Sequence, residues 1–460
     1  MNIEQRPLYN IIPTGSEIIY TISSSAVTNA FNVKYVAYVW INKDAAGLGL
    51  PVNQPTTILK VDPNDAGVGI FDFSSVLDNY VHPDYEGGGN ISRSPSLYSQ
   101  FKIVDYSKSP NPHSIHLTDA FAGNQHTCNY YYIKFYTEYS MTRTGPVSID
   151  FSEWKDTDNI LIFNGYLHNT DKLYLYKDNY GYQNFPLLKN SNGKAASEAP
   201  LIQYIREFDF MTLPFFNNLN IPGPIPTVSV DRMEVRFYYN GAQVFSYQPM
   251  QMALGGYNGN AKDANVHFQF YGCGPANQRN ALEGVGLFPA NWDYYTIQAY
   301  DSTTVKSKLY EFHKQDEDCK GYETIRLTWL NRWGGWDYYN FTKKSTKTTN
   351  IKPVHYNQYG GTWNESHYTI HGWKGGKRVL NNLANEEITI NTDWITEDIA
   401  LWLEQLFVSN DVFILKEDDY NATVGGLNND FPNLGTTAYT QKYLEPVIVK
   451  STTNITKTKA

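Results

Sequence analysis

The sequence predicts a mainly β, multi-domain protein made of immunoglobulin- or fibronectin-like β-sandwiches, with one clear α-helix near the C-terminus. Three observations predict it. Tyr (37), Phe (23) and Trp (10) are abundant while charged residues make only 18% of the 460, a balance that favours half-buried pleated surfaces over helices. Short segments of period-two hydrophobicity recur, with turn residues between them. One segment alone combines a capping residue with an apolar helical stripe.

In chain order, the first strands are expected at Glu17–Ser23, Val33–Ile41, Thr57–Val61 and Gly69–Phe73. Pro13-Thr14-Gly15 and Asp62-Pro63-Asn64-Asp65 supply turns between them. In VKYVAYVWI both alternating faces are apolar, so cover on both sides is expected. Ser74–Val81 reads as a short helix, and Glu86–Ser109 as a long polar loop. Strands resume at Tyr130–Ser140, Asn159–Phe163 and Phe208–Leu213.

Pro222, Pro224 and Pro226 follow, and three prolines so close exclude a helix or central strand. A boundary placed there gives an N-terminal β-sandwich region with long polar loops over 1–220 and a second β-sandwich domain over 221–320. The second takes strands at Met233–Tyr239, Gln243–Tyr247, Val266–Tyr271, Tyr294–Tyr300 and Ser307–Phe312.

Residues 321–460 form the third region. It opens on ETIRLTWLNRWGGWDYYNF, Glu323 to Phe341, read as a β-hairpin. Ile325, Leu327 and Trp329 alternate with Thr324, Arg326 and Thr328, and Gly334-Gly335 offers positive-φ positions for the reversal. So much aromatic surface needs cover by the core, a partner chain or a glycan. TKKSTKTTNIK, Thr342 to Lys352, is an extended basic arm in a chain of net charge −9. It is either a solvated loop or a clamp on an acidic face of a neighbouring subunit. The helix is expected at Thr396–Phe407, capped by Thr396, with Glu397 and Asp398 in its first turn and Ile399, Trp402, Leu403 and Leu406 as its stripe. Strands Val412–Leu415 and Tyr443–Lys450 close the chain.

Chemical signatures are sparse. Cys128, Cys273 and Cys319 are isolated, without a CxxC or Cys/His cluster, so neither a zinc site nor a disulfide framework is implied. Asp62–Gly67 resembles the start of a calcium loop, but Phe73 stands where the closing Glu belongs, and a turn is the simpler reading. His367 and His371 would share a face on a strand, beside Trp363 and Trp373. There is no nucleophile elbow and no phosphate-binding glycine loop. The acidic balance argues against nucleic acid. No apolar run reaches the length of a membrane helix, and MNIEQRPLYN has no signal-peptide character, so synthesis in a cytoplasm is expected. No enzyme activity, cofactor or metal is therefore expected.

IRLTWLNRWGGWDYYNFTKK resembles a hairpin of tail and baseplate structural proteins of tailed bacteriophages, especially those of Bacteroidota-type hosts. Asn331, Arg332, Gly334, Gly335, Asp337, Tyr338 and Phe341 carry the resemblance. NTDWITEDIALWLEQLFVSNDVFIL is similar to the helix–Ser–strand unit of the same proteins, through Trp394, Leu403, Leu406, Ser409 and Val412. VGIFDFSSVLDNYV and EFDFMTLP resemble elements of their N-terminal sandwich. The resemblance implies a non-enzymatic virion component of tail, baseplate or neck, assembled in the host cytoplasm as a homo-oligomeric ring with copies of itself and other virion proteins. The expected interface residues are Arg332, Trp333, Trp336, Tyr338 and Tyr339, with Lys343, Lys344 and Lys347 as the arm. A partner chain can complete the C-terminal sheet, because further strands are expected in such a domain. A glycan-binding adhesin that stacks host sugars on Trp363 and Trp373 is the alternative, and a virion-associated glycan hydrolase the third reading.

Overall fold

The apolar alternation of Phe31–Asn42 and Cys128–Ser140 makes them the longest strands of the N-terminal half, and they pair with each other antiparallel. The computed structural model describes residues 1–7, 11–43, 54–85, 114–118, 121–123, 126–166, 193–216, 230, 232–248, 267–282, 288–315, 321–362, 364–418, 441–451 and 454–458. They divide into two compact units. One contains the described residues of Met1–Asp316 together with Leu330–Asp337, the other those of Glu317–Trp329, Tyr338–Asp419 and Gln441–Ala460.

In the first unit, one sheet runs in the order Ile11–Pro13, Ile160–Phe163, Cys128–Ser140, Phe31–Asn42, Thr57–Val61, with Ser148–Asp156 also on Cys128–Ser140. A second sheet orders Asn2–Gln5, Ile19–Ser23 and Val68–Asp72. Tyr35, Ala37, Val39, Ile133 and Phe135 of the first pack with Ile18, Tyr20, Ile22, Phe71 and Phe73 of the second in one core, which makes the pair a sandwich. The Tyr20 and Tyr131 hydroxyls meet inside it at 2.9 Å. As the two-sided apolar pattern predicts, Val36 and Trp40 on the other face of Phe31–Asn42 are buried too. Asp62–Gly67 is a turn: Asn64 Oδ1 accepts from the amides of Ala66 and Val68.

A further pair of sheets follows in the same unit. One, of six strands, is ordered Ile202–Ile205, Tyr310–Lys314, Tyr294–Asp301, Arg232–Tyr239, Ala242–Tyr247, with Thr304–Val305 also on Tyr294–Asp301, and the other, of three, is ordered Thr212–Phe216, Phe268–Gly272, Phe121–Gly123. Strands from both sides of residue 220 share these sheets, so a division at 220/221 does not separate them. The proline-rich segment itself lies outside the described residues. Thr212–Phe216 starts four residues later than the sequence suggests, because Asp209 takes the Arg206 amide and guanidinium in a buried turn. The helix Pro275–Leu282 escaped the sequence reading for a physical reason. It lacks an apolar stripe and is anchored by polar bonds: Asn277 accepts from the Met211 amide and donates to the carbonyls of His116 and Thr118.

A sheet whose residues belong mostly to the second unit, apart from Leu330, Trp336 and Asp337, runs Trp336–Phe341, Ile325–Leu330, Val412–Asp418, Gln441–Pro446. The helix Glu397–Val408 has the expected cap, Thr396 Oγ1 accepting from the Ile399 amide, and buries Trp402, Leu403 and Leu406. Trp329 and Tyr339 meet Trp402 at ring distances of 5.2 and 6.0 Å. Both faces of Ile325–Leu330 are covered, not one: Arg326 donates to Asn340 Oδ1 and lies over the Tyr338 ring. The other sheet runs Thr346–Gln358, Gly376–Thr389, Asn454–Thr458, Ile448–Ser451. Its first two strands form a long ribbon and its third, Asn454–Thr458, lies beyond the last strand read from sequence.

Glu207 ties the helix Pro275–Leu282 to the six-stranded sheet that holds Tyr310–Lys314, accepting from Arg279 at 2.5 Å and Lys314 at 3.0 Å. Its burial disfavours the charge, but the two cations outweigh that and hold the carboxyl below its ordinary range. A lowered carboxylate contributes stability that is complete above its unfolded pKa and is lost as pH falls through the folded one. Wild type should therefore lose more melting temperature between pH 5 and pH 3 than Glu207→Gln. Parallel melting curves for the two proteins would contradict this.

Candidate assembly surface

Each expected interface residue has a definite place. Asn331 organises the hairpin tip, its Oδ1 accepting from the amides of Trp333 and Gly335 while Nδ2 donates to the Ala196 carbonyl and to Asp337 Oδ1, both at 3.0 Å. Ser197 Oγ donates to the same Asp337 oxygen at 2.6 Å. Trp336 is wholly buried, its ring nitrogen donating to the Asp84 carbonyl at 2.9 Å and its ring against His116 and Tyr85. Trp333 is buried beside Phe163 and shares Glu198 Oε1 with the Arg332 guanidinium. All of these contacts lie within the first unit.

The two glycines of the turn have different reasons. Gly334 has φ +80°, where a side chain is strained, and a Cβ would also stand 2.2 Å from the Asn164 carbonyl oxygen. Gly335 has no positive φ; a Cβ there would meet Pro214 at 2.4 Å, so its role is close approach.

In the second unit Tyr338 is buried, and Tyr339 is half-buried between Phe341 and Trp402. Burial, then the nearby Asp393, pushes the Tyr339 hydroxyl pKa up. Trp333, Trp336 and Tyr338 are thus covered by this chain's own atoms. Lys343 pairs with Asp393 at 2.9 Å and Lys347 with Glu323 at 2.7 Å, both within the second unit. The Lys344 carbonyl accepts from Asn391. The arm is consequently held rather than loose, with Lys347 inside the Thr346–Gln358 strand.

That strand builds the surface that sequence reasoning missed. Thr346–Gln358 pairs antiparallel with Gly376–Thr389, and Asn454–Thr458 extends the sheet only along Asn385–Thr389. From Ile351 and Ala384 to the far end the ribbon has two strands, with both faces open among the described residues. It carries apolar side chains there regardless. Ile351 is 60% exposed and Leu380 69%, and Val354, Tyr356, Val379 and Leu383 are exposed beside them. Two-stranded ribbons are marginal in water, and apolar surface of this extent marks a contact site. Pro353 argues against a central strand, yet it fits an edge, where no partner needs its missing N–H.

At the ribbon's end, Trp373 is 71% exposed, with Lys374 over its ring, and Tyr359, Tyr368 and Ile370 are exposed as well. His367 and His371 do not share a strand face: both lie in this end loop, His371 near Trp373 and His367 bonded to Ser366. Trp363 lies outside the described residues. No group of three metal-binding side chains occurs among the described residues. No helix among the described residues is long and apolar enough to cross a membrane.

No protein-family model and no curated protein matches the chain.

Burial separates two kinds of tryptophan. Trp336→Ala should cost about 3–5 kcal/mol of unfolding free energy in denaturant titrations. Trp373→Ala should stay within about 0.5 kcal/mol of wild type. Equal effects would show that the burial contrast is wrong.

Proposed function

We propose that the chain is a non-enzymatic structural subunit that assembles with copies of itself, and that its assembly belongs to a bacteriophage virion on the tail, baseplate or neck side. One observation supports assembly above all: a two-stranded ribbon whose apolar side chains have no cover among the described residues. Such a ribbon gains stability when another surface buries it, at roughly 25 cal/mol per Å² of apolar area. The phage setting rests on the hairpin and helix patterns of the sequence. Low charge and abundant Tyr and Trp suit a protein that spends its life in interfaces.

The exposed Trp373, Tyr359 and Tyr368 favour a second reading, glycan binding at the ribbon's end. Flat rings in the open are what stacking on a sugar needs. The two readings use different residues. A glycan array that shows a binder lost on Trp373→Ala, for a protein that stays monomeric, would favour the adhesin.

Light scattering of the purified protein at micromolar concentration should give a mass of several chains. The variant with Ile351, Val354, Leu380 and Leu383 all changed to Ser should run as a monomer with an unchanged melting temperature. A monomeric wild type, or an oligomer indifferent to these four changes, would contradict the proposal.

A further inference from the structure

The end of the ribbon differs in chemistry from the strands that lead to it. Trp373 is 71% exposed there, in a stretch that carries its own charge. From Gln358 to Asn385 the chain holds Lys374, Lys377 and Arg378 against one acid, Glu365, although its net charge is −9. Lys343 and Lys347, nearer the ribbon's base, are paired with Asp393 and Glu323. Lys374 and Arg378 form no ion pair among the described residues.

The end loop is tied by its own backbone. The His371 amide donates to the Gly360 carbonyl at 2.8 Å, and Gly361 bridges to Ile370. Thr362 Oγ1 accepts from the Thr369 amide and donates to the His367 carbonyl. A shape held before binding spares the ordering cost that a slack loop would incur on meeting a ligand.

The cations gather on Trp373. The Lys374 ammonium lies 4.8 Å from its ring centroid, and the Arg378 guanidinium donates to its carbonyl at 2.8 Å. The His371 ring stands 5.8 Å away. Arg378 spends one nitrogen on that bond and keeps its other donors, and Lys374 keeps its three. An indole so exposed suits stacking on a sugar ring. The ammonium and guanidinium beside it suit a carboxylate, sulfate or phosphate, for which charge-assisted hydrogen bonds are the strong ones. A neutral sugar or an apolar surface would desolvate these cations without pairing them. Nucleic acid draws on a basic stripe, which two cations on an acidic chain do not make.

We propose that the ribbon's end binds an acidic saccharide, with a sugar ring stacked on Trp373 and its acidic group held by Lys374 and Arg378. This rests on the glycan reading above and names the class of sugar.

Matched polymers test it on the full chain by calorimetric titration: polygalacturonate against its methyl ester, dextran sulfate against dextran, and phosphomannan against mannan. Poly-glutamate and duplex DNA serve as charge controls. At least one acidic polymer should bind about tenfold or more tighter than its neutral counterpart, and the difference should shrink as salt is raised. Lys374→Gln with Arg378→Gln should abolish that preference, and Trp373→Ala should abolish binding. Melting temperatures should hold, because none of the three side chains is buried. Lys374→Gln alone leaves Arg378 on the Trp373 carbonyl and should still lose part of the preference. If acidic and neutral members bind equally, the acidic assignment is overturned and the glycan reading stands. If poly-glutamate or DNA binds as tightly as the acidic polysaccharides and Trp373→Ala changes nothing, charge alone acts and both fall. Binding to none of the polysaccharides also overturns both.

Discussion

Aromatic and branched apolar surface has to be covered, and the cost of leaving it in water grows with its area. This protein meets that requirement inside the chain wherever an aromatic strand has a sheet or helix to lie against. The hairpin tip shows how closely. Trp336 is sealed by Tyr85 and His116, and the polar atoms that come with it are bonded through Asn331, Asp337 and Ser197. A buried carboxylate would be expensive without those donors. With them it fixes the turn in one conformation.

The ribbon beyond Asn350 and Asn385 does not meet the same requirement. Among the described residues its two strands satisfy each other along one edge only, and its side chains project from two open faces. Natural edges usually carry charge or proline to discourage pairing. Here Lys352 and Pro353 stand on the edge strand while Ile351 and Val354 flank them. The combination resists indiscriminate strand pairing but keeps enough apolar area to reward one specific cover.

The fold class was legible because alternation and composition report burial directly. Phe31–Asn42 and the capped helix Glu397–Val408 were readable for that reason. The hairpin was legible as a hairpin, but not the source of its cover. An aromatic pattern states that cover is needed and says nothing of which chain supplies it. For Trp333 and Trp336 the cover comes from Glu198, Phe163 and Asp84, each more than 130 residues away in sequence. The ribbon was hidden by the opposite effect. TKKSTKTTNIK reads as a basic arm that stops at Lys352, whereas the strand runs on through Pro353 to Gln358, and its partner GKRVLNNLANEEIT has no clean alternation to mark it as a strand. Only pairing shows them to be one element. The helix Pro275–Leu282 was hidden in turn by polar anchors that no periodicity reveals.

Amide hydrogen exchange across a concentration series would test the central claim most directly. If the ribbon is the assembly device, amides of Ile351–Gln358 and Gly376–Ala384 exchange quickly in dilute protein and slow markedly as oligomer forms. Those of the buried strands Phe31–Asn42 and Ile325–Leu330 should stay slow throughout. An oligomer in which the ribbon amides exchange as fast as in the dilute protein would contradict the account.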